Sequence, residues 1–395
     1  MSAAGSISHR AANLGRGRDS TDVAARPLLH LVNVVWGGEY TRLYLDVSLP
    51  SQLAPGNLPA LERSADGVYR IFTTAEDATI IRPSPAYRRL QSITPTEIVT
   101  VEIPARTDPY ETLTRLQMQA LREAAAVGAY ALLLAPDIVI ADGGIDRLAR
   151  LAAEGKKAVM VLSVRVAKES FAPELRRRLS QGPDAAVKIS SADLVELAIK
   201  HFHPTSRALV WPPTTSWPSH LYWPVEDAGF IAAGFHLHPI LVAPAKTDGL
   251  LGSTIDGDFV ARNFSADEVH VVDDSTELTV FEMSSAAQAV GRPVAPLSAS
   301  AVGRWAACNA DEGHMRLFER SVTFRTGKPS SAWQAAHDST AQISIEIRRY
   351  RSRFGWWGRT VNVLRPVVRL AKRCRRWPGR LVAKLISKSA TEAAA

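Results

Sequence analysis

The sequence predicts an α/β fold with a mostly parallel sheet, and three observations carry that prediction. Runs of strand length, rich in Val, Ile and Leu, alternate with segments of helical period from Leu28 to Val164. Helix-start signals stand between them, with Thr74 and the Asp108-Pro109 pair ahead of helical stretches. The run Ala131 to Leu134 is apolar throughout and stops at Pro136-Asp137, the pattern of a central strand buried on both faces.

The first strand is predicted at Leu28 to Trp36, where β-branched residues dominate. Gly37-Gly38 turns the chain into a helix over Glu39 to Ser48. This turn is neither a dinucleotide-binding glycine fingerprint nor a glycine-lysine phosphate loop, which argues against both cofactor classes. The glycines either let the backbone approach a ligand or make a plain tight turn. Pro50 to Ala60 is rich in turn formers and reads as an ordered loop. A second strand, Gly67 to Thr74, leads into a helix with Thr74 as N-cap, so Thr73 and Asp77 fall at a strand's carboxyl end. The third strand spans Glu97 to Ile103, and Asp108 caps the helix Tyr110 to Val127.

Asp137 therefore falls where ligands sit in open α/β sheets, just beyond the carboxyl end of a central strand. Asp142 is expected to cap an amphipathic helix running to Glu154, followed by a strand over Lys157 to Val164. Helices are predicted at Glu169 to Ser180 and Ser191 to Phe202. The second of these either packs on the sheet or walls a cleft.

From His201 to Pro224 aromatics and prolines replace periodic aliphatics. Trp211, Trp217, Tyr222 and Trp223 either form a stacking platform for the apolar face of a sugar ring or seal the edge of the core. In Gly234 to Val242, strand alternation would place His236 and His238 on one face. Asp256 and Asp258 follow within about twenty residues. Together these groups make either a divalent-metal or phosphate-handling site, or an Asx turn with surface histidines. Strands are predicted at Val269 to Val272 and Leu278 to Met283, joined by a turn at Asp273-Asp274-Ser275. A helix over Cys308 to Phe324 carries His314, which receives no function.

The chain of 395 residues, 46% hydrophobic, is long enough for one large domain with appendages. Its two cysteines follow no metal or redox spacing, and a reducing compartment is expected. Residues 1–27 read as a disordered leader without a secretory pattern, and no run approaches the roughly 20 apolar residues of a membrane span. The net charge of +8 is unevenly placed: fourteen Lys or Arg and no acid lie between Arg348 and Lys388, against 33 basic and 39 acidic residues elsewhere. An acidic body argues against a nucleic-acid-binding face. In the tail, Val361, Leu364, Val367, Val368, Ala371 and Cys374 recur at helical spacing, as do Leu381, Val382, Leu385 and Ile386 after Pro378. Trp356, Trp357 and Trp377 sit at the edges. Such cationic amphipathic helices suit an anionic membrane surface, with an acidic partner, nucleic acid or a docked tail as the other readings.

The order of parts from about residue 28 to 285 resembles the GT-A fold nucleotide-sugar glycosyltransferases, especially bacterial enzymes of surface-polysaccharide synthesis. The resemblance implies an open, mostly parallel sheet with a nucleotide loop after the first strand. It also implies a DxD motif after a central strand that binds a divalent cation, Mn²⁺ or Mg²⁺, and the diphosphate. Trp36, Gly37, Tyr40, Thr73 and Asp77 match the nucleotide-loop positions, and Ala135-Pro136-Asp137 matches the place of DxD, with Ala135 in place of the first acid. The implied metal ligands are Asp137 with His238 or Asp256, unless the enzyme works without metal. Asp256, Asp258 and His238 are the implied catalytic base or ligands. On this reading residues 28–285 are the catalytic domain, 286–347 an extension packed on it, and 348–395 a membrane-contacting tail. The implied protein is cytoplasmic and peripheral on the inner membrane face, moving a sugar to a surface-polysaccharide or lipid-linked glycan. The alternative is a non-catalytic nucleotide- or glycan-binding scaffold of an assembly complex.

Overall fold

The computed structural model describes residues 26–355, apart from 105–106, 181, 183–184, 247–254 and 256–258. The leader up to residue 25 and the tail from residue 356, including Trp356, Trp357 and Trp377, lie outside the described residues. The strands are β1 (Leu28–Val34), β2 (Asp66–Thr73), β3 (Thr96–Thr100), β4 (Tyr130–Leu134), β5 (Ile138–Ile140), β6 (Ala158–Val161) and β7 (Val164–Ala167). They continue with β8 (His220–Val225), β9 (Gly229–Gly234), β10 (His238–Val242), β11 (Val269–Val271), β12 (Val280–Ser284) and β13 (Val322–Arg325). The longer helices are α1 (Gly38–Leu43), α2 (Ala75–Ile81), α3 (Pro85–Ile93), α4 (Pro109–Ala126), α5 (Gly144–Ala153), α6 (Lys168–Arg177), α7 (Ser191–Lys200), α8 (Ala299–Asn309), α9 (Glu312–Phe318) and α10 (Trp333–Arg353).

Among the described residues the main sheet has the order β11-β6-β10-β4-β1-β2-β3. Its strand pairs are parallel except where β10 runs antiparallel between β4 and β6. The fold is therefore mixed α/β with a largely parallel central sheet flanked by helices, as the alternating runs predict. The pleat of β1 divides the core: Val32 and Val34 pack with Leu116 and Leu121 of α4 on one face, Leu29 and Leu31 with Ile145 and Leu148 of α5 on the other. Thr74 and Asp108 cap their helices as expected.

Asp142 does not cap a helix. Gly143, at φ +96°, precedes α5, and Asp142 Oδ1 instead accepts from the Gly56 N–H at 2.6 Å; the stretch expected as a loop from Pro50 to Ala60 is helical over Leu49–Gln52 and Leu58–Ala60, so the bond pins only the short turn between them. The expected Lys157 to Val164 strand is two strands, because the chain leaves the main sheet after β6 and enters a small sheet, β5-β12-β7, as β7. The predicted strand through His236 and His238 likewise breaks. Residues 235–237 carry the chain from β9, in a third sheet of order β13-β9-β8, to β10 in the main sheet, so the two imidazoles do not share a strand face. Cys308 to Phe324 is not one helix: α8 ends at Asn309, α9 follows, and Val322 to Arg325 pair with β9. His314 completes a capping box with Asp311, a structural role.

Helix α7 packs on the third sheet through Leu194, Val195 and Ala198, so it is a packing element. The opposite face of that sheet is covered by α8, α9 and α10 through Met315, Phe318 and Ile347. Four arginines of the cationic run, Arg348, Arg349, Arg351 and Arg353, belong to α10 rather than to a tail; Arg348 pairs with Glu312 and Glu319, and Arg351 with Glu312. At the other end Arg26, counted with the leader, donates to the Glu62 and Ala65 carbonyls at 2.7 and 2.6 Å.

Candidate functional site

In the main sheet β2 and β3 lie on one side of β1 and β4 on the other, so the strand order reverses between β1 and β4. Crevices beyond the carboxyl ends of strands at such a reversal are where open α/β sheets bind ligands. Here that crevice is bounded by the Trp36-Gly37 turn after β1 and the Pro136-Asp137 turn between β4 and β5. The small sheet lies beside it, because the Met283 N–H donates to the Asp137 carbonyl at 2.7 Å and ties β12 to the second turn.

The first turn is built by Asp77. Its Oδ2 accepts from the Gly37 N–H (2.8 Å) and the Thr74 hydroxyl (2.8 Å), and its Oδ1 accepts from the Thr41 hydroxyl (2.9 Å). The carboxylate is buried and satisfied by the fold itself. Gly37 sits at φ +82°, which an L side chain rarely adopts, while a Cβ there would meet nothing within 4 Å. Glycine serves the backbone angle at this position. Trp36 is half-buried against the core, and Thr73 is buried with its hydroxyl unpartnered among the described residues.

Asp137 is half-buried and carries a different balance. Burial of its carboxyl group, and after it the negative charge of Glu282, push its pKa up to about 7, against the pull of its own backbone N–H, Arg165 and Lys168. Glu282 stands on β12 opposite Ile138 of β5 and Arg165 of β7. It pairs with Arg165 Nε at 2.9 Å and accepts from the Ser284 hydroxyl at 2.8 Å. Lys168, at the start of α6, pairs with Glu39. The Tyr40 ring is 40% exposed, and burial, then Asp137, Glu39, Tyr110 and Glu282 in turn, raise its hydroxyl pKa. The structure thus gathers Tyr40, Tyr110, Asp137, Arg165, Lys168 and Glu282 around one crevice. Beside them Glu39, Arg42, Lys168 and Arg176 line a groove of about 240 Å³ between α1 and α6.

His238 opens β10, and because β10 runs antiparallel its first residue falls at the carboxyl end of β4. Its Nε2 lies 3.3 Å from the Leu133 carbonyl. His236 instead lies edge-on to His314, with ring centroids 4.5 Å apart. Asp256 and Asp258 lie outside the described residues. Among the described residues no three His, Cys, Asp or Glu side chains gather as a metal group. Glu282 is the acid whose charge acts on Asp137, and it stands opposite Ile138, the next residue in the chain. Two carboxylates suit a magnesium-like ion that draws its remaining oxygens from water and substrate phosphates.

Sequence reasoning missed Glu282, Arg165, Lys168 and Tyr110. The available signal was the alternation Val164-Arg165-Val166 and Phe281-Glu282-Met283, a charge between two buried residues on each of two short strands. Of the aromatic segment, Tyr222 and Trp223 are buried and Trp211 stacks on Trp223, so these three seal the third sheet. Trp217 alone of the four is exposed, at 43%.

Neither a protein-family model nor a curated protein sequence matches this chain.

Proposed function

We propose that the chain is a GT-A-like glycosyltransferase that moves a sugar from a nucleotide-sugar donor to a surface-polysaccharide or lipid-linked glycan. The observation that carries this reading is the place of Asp137 at the reversal of strand order, with Glu282 of β12 opposite its chain neighbour Ile138 and the Arg165 that pairs with Glu282 on β7. Glycosyl transfer from such a donor must neutralise a departing diphosphate. Asp137 and Glu282 would hold a Mn²⁺ or Mg²⁺ ion that supplies this neutralisation when bound, Glu282 standing in for the acid that Ala135 lacks. Arg165 and Lys168 add fixed positive charge beside it. Trp36, Gly37 and Tyr40 form the wall on which the nucleotide would lie, while Thr73 and Asp77 support that wall from below. A group with a pKa of about 7 also suits proton exchange with an acceptor hydroxyl, so Asp137 can serve as base when no cation engages it.

The test is a thermal-shift and turnover panel of nucleotide sugars with the full-length protein, with and without Mn²⁺ or Mg²⁺. A shift with one donor, and transfer abolished in Asp137→Asn, supports the reading. No shift and no turnover with any donor overturns it.

A second reading, a non-catalytic nucleotide- or glycan-binding scaffold, draws support from the ion pairs that already occupy Arg165 and Lys168. On that reading Asp137→Asn leaves cellular function intact. In both readings the protein works at the inner membrane face. No described helix is long and apolar enough to cross a membrane. Membrane contact rests on the ten Lys and Arg from Arg359 to Lys388 and the apolar residues among them. Truncation after Gly355 is expected to abolish binding to vesicles containing anionic lipid, and unchanged binding would remove the membrane from the proposal.

A further inference from the structure

Trp217 is exposed, yet everything behind it is fixed. Its ring meets Trp305 edge-on at 5.2 Å between centroids. Trp305 leans on Phe235 at 5.3 Å, and Phe235 stacks on the buried Phe318 at 4.1 Å. The indole is thus the outer end of an aromatic column rooted in the core of the third sheet.

Its backbone is held as firmly by a strap that leaves the end of β12. The Ser216 N–H donates to the Arg292 carbonyl and the Arg292 N–H to the Ser216 hydroxyl, both at 2.9 Å. The Val294 N–H donates to the Thr214 carbonyl at 3.0 Å, and the Thr215 hydroxyl accepts from the Trp217 N–H at 3.2 Å. Gly291 makes the close approach possible: at φ +82°, a Cβ on it would lie 2.2 Å from Thr215 Oγ1 and 3.2 Å from Trp217 Cβ.

A large aromatic side chain held rigid and presented to solvent is a preorganised contact surface, because binding to it freezes few additional rotors. Its chemistry indicates what it fits. Around it Val290 and Val294, each 37% exposed, stand on either side of Arg292 and Pro293, which are exposed as well. An exposed indole next to the Ser216 hydroxyl and a strap that carries an exposed arginine suits a pyranose ring, whose apolar face stacks while its hydroxyls take hydrogen bonds.

The strap also fixes the platform's relation to the candidate site. Val290 follows Glu282 by eight positions, so the two lie within about 28 Å of each other. Between them Ser285 is anchored to Glu169 at 2.7 Å, and the Val290 N–H to the Thr205 hydroxyl at 3.0 Å.

We propose that Trp217 is the platform of a glycan subsite that grips an acceptor chain one or more sugar rings away from the Asp137 crevice. The acceptor role rests on the glycosyltransferase reading, whereas the binding itself does not. The experiment is titration of the full-length protein with cellotetraose, maltotetraose and chitotetraose by calorimetry and ligand-observed NMR. At least one should bind, Trp217→Ala should weaken it about tenfold or more, and Trp217→Phe should stay within a few-fold. Gly291→Val, which keeps the Trp217 side chain but forces the strap away from Thr215 and Trp217, should weaken binding as well. Absence of binding by all three oligosaccharides, or equal binding by wild type and Trp217→Ala, overturns the subsite. Binding that depends on Trp217 in a protein that answers to no nucleotide sugar upholds the subsite and overturns the transferase.

Discussion

Asp77 and Asp137 stand at the carboxyl edge of one sheet, one strand apart across β1, and the fold treats them in opposite ways. Asp77 receives three hydrogen bonds, from Gly37, Thr41 and Thr74, and its charge is spent on closing the β1–α1 turn. Asp137 is pressed by burial and by Glu282, and the positive charges of Arg165 and Lys168 do not restore an ordinary carboxylate. The contrast teaches that position at a ligand-binding edge does not define function. An acid whose lone pairs are filled holds structure, and an acid whose ionisation is opposed holds free energy that a cation or a proton can release.

The comparison breaks most visibly at Asp77. Asp77→Ala leaves one backbone N–H and two hydroxyls without their acceptor in a buried turn, and should lower stability by about 3 kcal/mol. Chemical denaturation at pH 7 measures this directly. A loss below about 1 kcal/mol would show that the turn closes without the carboxylate.

Asp137→Asn should act with the opposite sign. A carboxyl group whose pKa is raised in the folded protein holds its proton there more tightly than in the unfolded chain. Stability is therefore greatest below the unfolded value near 3.9 and falls as pH rises towards 7. The neutral amide escapes that loss. The variant should match wild type near pH 4 and exceed it at pH 8 by about 1–3 kcal/mol, a figure reduced from the full shift because the side chain is half-buried. Parallel stability curves for the two proteins from pH 4 to 8 would sink the assignment. On the transferase reading the same substitution that stabilises the fold abolishes turnover, a trade-off typical of a strained site.

The difference between the two acids was only half visible in the sequence. Asp77 follows Thr74 by three residues, and the cap signal is local, so its helix could be read directly. Its bonds to Gly37 and Thr41, about forty residues earlier, could not. The strand and helix alternation was legible because a run buried on both faces or a 3.6-residue period is written in consecutive residues. The small sheet was not. β5 and β7 continue apolar runs already accounted for by β4 and β6, and a three- or four-residue strand leaves no period of its own. Glu282 thus reads as one polar residue in an apolar stretch, although after burial its charge is what sets Asp137 apart. Asp142 went astray for a similar reason. An Asp ahead of an amphipathic run is a cap signal, but the turn at Gly56, 86 positions away, claims its carboxylate.

The smallest expected effect isolates Glu282 from burial. Burial ranks ahead of Glu282 among the causes that raise Asp137, so removing the charge should shrink the pH dependence without abolishing it. Glu282→Gln keeps the shape and the Ser284 contact but takes away the negative charge facing Asp137. Arg165 becomes free to favour the Asp137 carboxylate. Stability should then lose less between pH 4 and 8 than wild type loses, with the midpoint of the fall moved to lower pH and the amplitude reduced by about 1 kcal/mol. The double variant with Asp137→Asn should show no further flattening, because the group that titrates is already gone. If Glu282→Gln instead leaves the curve where it is, burial alone raises Asp137. The two acids of the crevice would then not form a pair, and a divalent cation would have no second carboxylate to bind.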